Sequence, residues 1–203
     1  FGIQKKESSR FDFQQQYATV IAWQNGRDDL RREMPFSGYQ GEKVMYRWKR
    51  ENIFPGGSCF RYFDCSNLRA KMYNIQNIEE FGGETLIFLR PEEDRSRKNY
   101  IYIKGLLGGM KINAFDRNDA QTQGDYVWAN FSLPVERPFI DGSLHIIGDL
   151  TDWSFDENSR MEWHPEYKAY TKRMLVKQGY YSYQIIFLPT GEKEGQTSRI
   201  EGD

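Results

Sequence analysis

The chain has 203 residues, a length that suits one large domain or two small ones, and its formal net charge is −1. Such a balance provides no basic field for nucleic acid and no polybasic patch for anionic lipid. With 28% charged and 38% apolar residues, the composition is that of a globular protein rather than a disordered one. No stretch approaches the roughly 20 consecutive apolar residues of a membrane helix.

Apolar residues alternate with polar ones throughout the chain, which predicts strands rather than helices. Aromatic residues make up 16% of the chain, and they favour strands as well. We therefore expect an all-β protein. In chain order, the predicted strands lie within residues 17–26, 43–51, 54–64, 71–78, 84–90, 100–105, 126–133, 143–150, 169–176 and 180–188, and residues 110–115 are expected to form a last strand or a bridging segment of the first half.

A glycine-rich and then polar stretch at residues 105–124 interrupts this pattern. We interpret its polar part as a linker, which divides the chain into two tandem immunoglobulin-like β-sandwiches at residues 1–117 and 118–203. The chain begins at Phe1 and ends in a polar segment that lacks a closing strand. These ends predict a fragment of a processed protein whose second sandwich is truncated at its C-terminus.

The stretch FPGGSCFRYFD, residues 54–64, combines two glycines with charged residues among aromatics. Gly56 and Gly57 predict a bulge or a close approach of another backbone. Beyond them, alternation places Arg61 on the opposite face from Asp64. A buried charge needs a partner, so we expect Asp64 to pair with Arg27 or Arg61 and hold the strand against the Asn25-Gly26 turn.

Two cysteines lie six residues apart in this region. An extended strand of that length separates Cys59 and Cys65 by about 20 Å, whereas a disulfide needs Cα atoms within about 7 Å. We expect free thiols. Two isolated cysteines and two isolated histidines predict no metal site and no cofactor.

Catalytic motifs are not evident in the sequence. His145 is expected to face outward from its strand and His164 to lie in a loop, and neither stands in a nucleophile motif. Carboxylates are plentiful, but nothing selects a glycosidase pair. A nucleic-acid platform at residues 45–51 is disfavoured, because alternation separates its aromatic side chains from its basic ones.

Residues 142–188 resemble the early-set immunoglobulin-like modules, such as glycogen-binding modules and the N-terminal domains of branching enzymes. The resemblance rests on Trp153 after a strand and Gly-Asp pair, and on the tyrosine-rich strand that follows Gly179. It implies a possible sugar site formed by Trp153, Trp163 and Lys177. The alternative is that Trp153 closes its turn and caps the core, as is common in sandwiches.

Four stretches in order are more specific: WQNGR at 23–27, FPGGSCFRYFDCSNLR at 54–69, DYVWANFSL at 125–133 and VKQGYYSYQ at 176–184. Together with the final Glu-Gly-Asp, they resemble the plug protein family of the type IX secretion system of Bacteroidetes, over its C-terminal two-thirds. Ser58-Cys59 departs from the family's Asn-Glu at that point. The family-motif residues, which we expect to be mostly structural, are Gln24, Asn25, Gly26, Arg27, Gly56, Gly57, Phe60, Arg61, Phe63, Asp64, Lys177, Gln178, Gly179, Tyr180 and Tyr181.

This resemblance implies a periplasmic, non-catalytic accessory protein that occludes a large outer-membrane translocon barrel from its periplasmic side. Such a protein would be peripheral to the membrane and would bind no nucleic acid. Tyr126 and Trp128 alternate with inward-facing residues, so they are candidates for the partner surface, although packing within the second sandwich is equally compatible with the pattern. The alternative function is a carbohydrate-binding module, and a glycan-active enzyme is a third reading.

Overall fold

The computed structural model describes residues 2–4, 19–47, 49–50, 53–98 and 105–202. The chain consists mainly of strands arranged in several sheets, so the all-β prediction is confirmed. The strands are β1 (Gly2–Gln4), β2 (Ile21–Trp23), β3 (Arg31–Glu33), β4 (Phe36–Gln40), β5 (Lys43–Tyr46), β6 (Arg61–Asp64), β7 (Ile75–Phe81), β8 (Glu84–Leu89), β9 (Met110–Ile112), β10 (Tyr126–Pro134), β11 (Gly142–Ile147), β12 (Glu162–His164), β13 (Ala169–Lys177) and β14 (Gly179–Pro189). A single-turn helix, α1, covers Ala120–Gln123.

The chain divides into two compact units, Phe1–Pro55 and Gly56–Asp203. The boundary predicted at residues 117 and 118 is therefore wrong. The connection from β9 to β10 passes through this predicted boundary. It contains α1, whose N-terminus is capped by the side chain of Asp119. The strands β6 to β8, assigned above to a first sandwich, belong to the sheets of the second unit, because β6 pairs with β14 and β8 pairs in parallel with β10.

The first unit contains a three-stranded sheet in the order β1-β5-β4 and a separate hairpin of β2 and β3. Its small core is formed by Met34, Val44 and Tyr46. Val44 and Tyr46 are buried on one face of β5. The predicted strand at 100–105 and the side chain of Trp48 lie outside the described residues.

The second unit contains two sheets that share one core. We call the sheet with the order β12-β13-β10-β8-β7 sheet I, and the sheet with the order β11-β14-β6, in which β9 also pairs with β14, sheet II. Val127, Ala129, Phe131 and Leu133 of β10 point into the core, which confirms the predicted alternation. They meet the buried side chains of sheet II, and the pairing is that of a β-sandwich.

Aromatic side chains fill the centre of this core. Phe63 of β6 stacks on Tyr181 of β14 with ring centroids 5.0 Å apart, and Phe131 of β10 meets Tyr183 edge-on at 5.2 Å. Rings of this size bury a large apolar area, and edge and offset contacts of this kind stabilise the core further. The family-motif residues Phe63 and Tyr181 therefore serve the fold.

Candidate partner-binding surface

The outer faces of the two sheets differ in how they are covered. In sheet II, the outward side chains of β14 are buried by loops: Gln184 donates to the carbonyl oxygens of Gly57 (3.2 Å) and Cys59 (3.0 Å). The Ser182 hydroxyl accepts the backbone N–H of Gly108 at 3.0 Å. The outer face of sheet II is therefore closed by its own chain, which leaves the outer face of sheet I as the larger exposed β-surface of this unit.

The exposed part of sheet I carries two aromatic rings, each beside a cation. The register of β10 and β13 places Tyr126 opposite Lys177 and Trp128 opposite Leu175. The Lys177 ammonium lies 5.1 Å from the Tyr126 ring, and the Arg173 guanidinium lies 4.5 Å from the Trp128 ring. We call these five residues the aromatic face.

Part of the aromatic face is open to solvent. Tyr126 is 61% exposed and Leu175 53% exposed, while Trp128 is half-buried. A cation within about 6 Å of a ring centroid is attracted to the face of the ring, so both pairs contribute to the position of the rings. Tyrosine, tryptophan and arginine are also the residue types that dominate the binding energy of protein interfaces. Of the two interpretations of Tyr126 and Trp128, the structure therefore favours a surface role for Tyr126 and a partly packed one for Trp128.

A hollow of about 400 Å³ adjoins the aromatic face. It lies between β13 and the loop of residues 150–158, and Trp128 forms part of its wall. Lys172 spans it at one point, because its ammonium donates to the carbonyl oxygen of Glu157 at 2.7 Å. We call this hollow the β13 groove.

The motif charges form a buried network rather than a site open to ligands. Arg61 donates through Nε to Glu201 Oε1 (2.9 Å) and through its terminal nitrogens to the Glu92 carboxylate and the Glu93 carbonyl oxygen. Glu201 also accepts the backbone N–H of Ile185 at 2.7 Å. Burial opposes the charge of Arg61, but Glu201 and Glu92 raise its pKa above the ordinary value, so the guanidinium stays ionised.

The predicted pairing of Asp64 with Arg61 is wrong. Asp64 instead accepts the backbone N–H of Ser66 at 2.9 Å, which fixes the turn after β6. Arg27, the other candidate, is buried and binds Asp29 through two nitrogens within the first unit. Alternation places Arg61 on the opposite face from Asp64, and the carboxylate partners of Arg61 lie far away in the sequence.

The remaining motif residues are also structural. Asn25 and Gly26 both have positive φ, and the N–H of Arg27 bonds to the carbonyl oxygen of Gln24 at 3.0 Å, which confirms the predicted turn. The carbonyl oxygens of Gly56 and Gly57 accept hydrogen bonds from the side chains of Thr197 and Gln184, so these contacts of the two glycines are with side chains.

The motif around Gly179 has a similar role. Gln178 is buried and bridges Asp125 and Ser66 through its side-chain amide. At Gly179, a Cβ would lie 2.5 Å from the carbonyl oxygen of Lys111, so β9 can approach only a glycine. Tyr180 stacks on Tyr62 at 5.7 Å on the outer side of sheet II.

The three residues of the predicted sugar site are not brought together. Trp153 packs edge-on against Phe60, and its indole N–H donates to Asp149 at 2.7 Å. Trp163 lies on the edge strand β12 and packs against Tyr170 with ring centroids 5.3 Å apart. Lys177 belongs to the aromatic face, where its ammonium donates to the carbonyl oxygen of Gln121. The capping role for Trp153 fits these contacts.

His145 was expected to face outward into solvent, and this is wrong. Its side chain is buried beneath the loop that contains Phe155, with the ring nitrogens 2.8 Å from the Ser143 hydroxyl and 2.9 Å from the Ser159 hydroxyl. Burial, with a smaller contribution from Arg160, lowers the pKa of His145 to about 4, so the ring is neutral near pH 7.

Both cysteines are buried, and neither forms a disulfide. Burial raises the pKa of the Cys65 thiol to about 12. Within the described ranges, no group of three His, Cys, Asp or Glu side chains is arranged to hold a metal ion. In the same part of the chain, no helix is long and apolar enough to cross a membrane.

Comparison with known proteins identifies a solved structure of the same fold. No protein-family model and no curated protein matches the chain. A crystal structure of a hypothetical protein from Parabacteroides merdae matches with a TM-score of 0.86 and 31% sequence identity. The alignment covers 91% of this chain and 47% of that one, so this chain spans about half the length of its structural relative.

Proposed function

We propose that this chain is part of a non-catalytic accessory protein of protein secretion in the Bacteroidetes. It binds the periplasmic side of a large outer-membrane translocon barrel and occludes it, staying peripheral to the membrane. The second unit is an immunoglobulin-like sandwich to which β6 to β9 are added. The observation that carries the proposal is the aromatic face, which exposes binding-type side chains on the sheet that the chain leaves uncovered.

The order of the four sequence stretches supports the secretion role, and so does the origin of the structural relative in a Bacteroidetes species. The motif residues also fit a rigid plug. Arg61, Glu92 and Glu201 tie together segments that are distant in the sequence. A body that closes a wide channel by steric contact needs this stiffness and no catalytic group.

Co-purification tests the proposal. The full-length protein, tagged in its native host, is extracted gently with the outer membrane. A very large barrel protein recovered in near-equal amount is the expected result. Recovery of the tagged protein without any barrel would contradict the proposed function.

A further inference from the structure

The exposed edge of β13 is the strongest candidate for a second recognition element. Strand β12 pairs with only three residues of β13, namely Ala169, Tyr170 and Thr171. Beyond them, in the described part of the chain, the backbone of Lys172–Val176 bonds only to β10, on its other side. This leaves five residues, about 16 Å of strand, with an open row of N–H and C=O groups.

The edge is open because the preceding chain changes sheets. Residues 159–161 pair with β11 of sheet II: the N–H of Met161 bonds to Leu144 at 2.8 Å, and the N–H of Ile146 bonds to Ser159 at 2.9 Å. The chain reaches sheet I only at Glu162. The loop of residues 150–158 therefore stands away from β13, and the β13 groove fills the space between them.

We propose that the β13 groove accepts an extended peptide segment of the partner, which adds to sheet I as a strand beside Lys172–Val176. An open row of backbone donors and acceptors is satisfied by another strand and by few other ligands. This inference rests on the proposed function for the identity of the partner, and it adds the means by which that partner is held.

The two walls of the groove define the peptide's chemistry. Side chains of an added strand alternate in direction. One set reaches the outer side, where Trp128 and Leu175 are apolar, and the other set faces Asp152 and Asp156 on the loop. The expected segment has apolar residues at every second position with polar or basic residues between them. A second copy of this chain fits less well, because Lys172 and Arg173 would place like charges together at a shared edge.

A peptide-display selection on the full chain tests the inference. Random 12-residue peptides are selected on the immobilised protein. The selected sequences are synthesised with an unmodified backbone and with N-methyl groups at alternate residues. N-methylation removes backbone donors without changing the side chains. We expect binding of the normal peptides, at least a tenfold loss on N-methylation, and slower hydrogen exchange at residues 172–176 in the complex.

Two matched variants locate the site. Leu175→Asp should weaken peptide binding at least tenfold, while Phe81→Asp, at a more exposed apolar position on the far edge strand β7, should leave it unchanged. No selected peptide, binding insensitive to N-methylation, or protection elsewhere would overturn the inference. Equal recovery of the barrel with the wild-type protein and with Leu175→Asp would also overturn the inference, but it would leave the proposed function intact. Peptide addition at β13 without any barrel would contradict the function alone.

Discussion

Arg61 and Glu201 lie 140 residues apart in the sequence, yet their side chains meet at 2.9 Å with neither exposed to solvent. The pair joins β6 to the last described segment of the chain. Glu201 in turn holds the backbone of β14 through Ile185. Burial raises the pKa of Glu201, and the positive charge of Arg61 offsets this rise in part.

Arg61→Met should therefore destabilise the second unit strongly. Removing the cation leaves the buried Glu201 and the largely buried Glu92 without the partner they share, and breaking a buried pair costs about 3–5 kcal/mol. Denaturant unfolding followed by aromatic fluorescence measures the change. Arg69→Met is the control, because Arg69 forms an exposed pair with Asp116 whose loss costs at most about 1 kcal/mol. Equal losses in the two variants would show that the buried network is unimportant.

Substitution of Gly108 by alanine tests the packing of Trp153. Its φ is +89°, and a Cβ at this position would overlap the Trp153 ring and the Phe60 ring. Gly191 has a similar φ of +82° with nothing within 4 Å. Both alanine variants lose about 1–2 kcal/mol from the left-handed backbone, and Gly108→Ala should lose about 1–3 kcal/mol more from overpacking. Urea midpoints of the two variants give the comparison, and equal midpoints would contradict the packing described for Trp153.

The buried state of His145 predicts loss of stability in acid. Its pKa is about 4 in the folded chain, against an ordinary value of about 6.5, so the unfolded chain binds the proton first. The stabilisation is complete above about pH 6.5 and declines as the pH falls toward 4. His145→Gln should flatten this part of the stability profile, measured by urea unfolding at pH 7.5, 6 and 5. A profile with unchanged slope would show that His145 is already charged in the folded chain.

Soluble glucans should not change the tryptophan fluorescence of the protein. Trp153 is held by Asp149 and Phe60, and Trp163 packs against Tyr170, so the two rings do not form one stacking platform. Titration with maltooligosaccharides and with longer soluble glucans is the measurement. A saturable shift that disappears in Trp163→Ala would instead support the carbohydrate-binding alternative.

The all-β class and many strands could be predicted because alternation is a local signal. The inward residues of β10 and the turn at Asn25 and Gly26 are examples. The domain boundary could not be predicted, because β8 pairs in parallel with β10 across a long connection and such pairing leaves no hairpin signal.

The contacts between side chains are harder to predict from the sequence than the strands are. Alternation places Arg61 on the opposite face from Asp64, but it cannot identify Glu92 and Glu201 as the partners of Arg61 among 29 acidic residues. His145 alternates as an exposed residue would, and only the loop of residues 153–159, folded back over β11, buries it. A loop that folds back also forms the β13 groove. The sequence therefore indicated Tyr126 and Trp128 as surface candidates but not the groove beside them.

The measurement that tests the partner role most directly is photo-crosslinking from the aromatic face in the native host. A benzophenone amino acid replaces Tyr126 in the full-length protein, and Ile140, which is 95% exposed in the β10–β11 connection, is replaced in a parallel control. A partner role for the aromatic face predicts a covalent adduct with a very large outer-membrane barrel from position 126 and none from position 140. Adducts of equal yield from both positions, or a barrel adduct from position 140 alone, would contradict it.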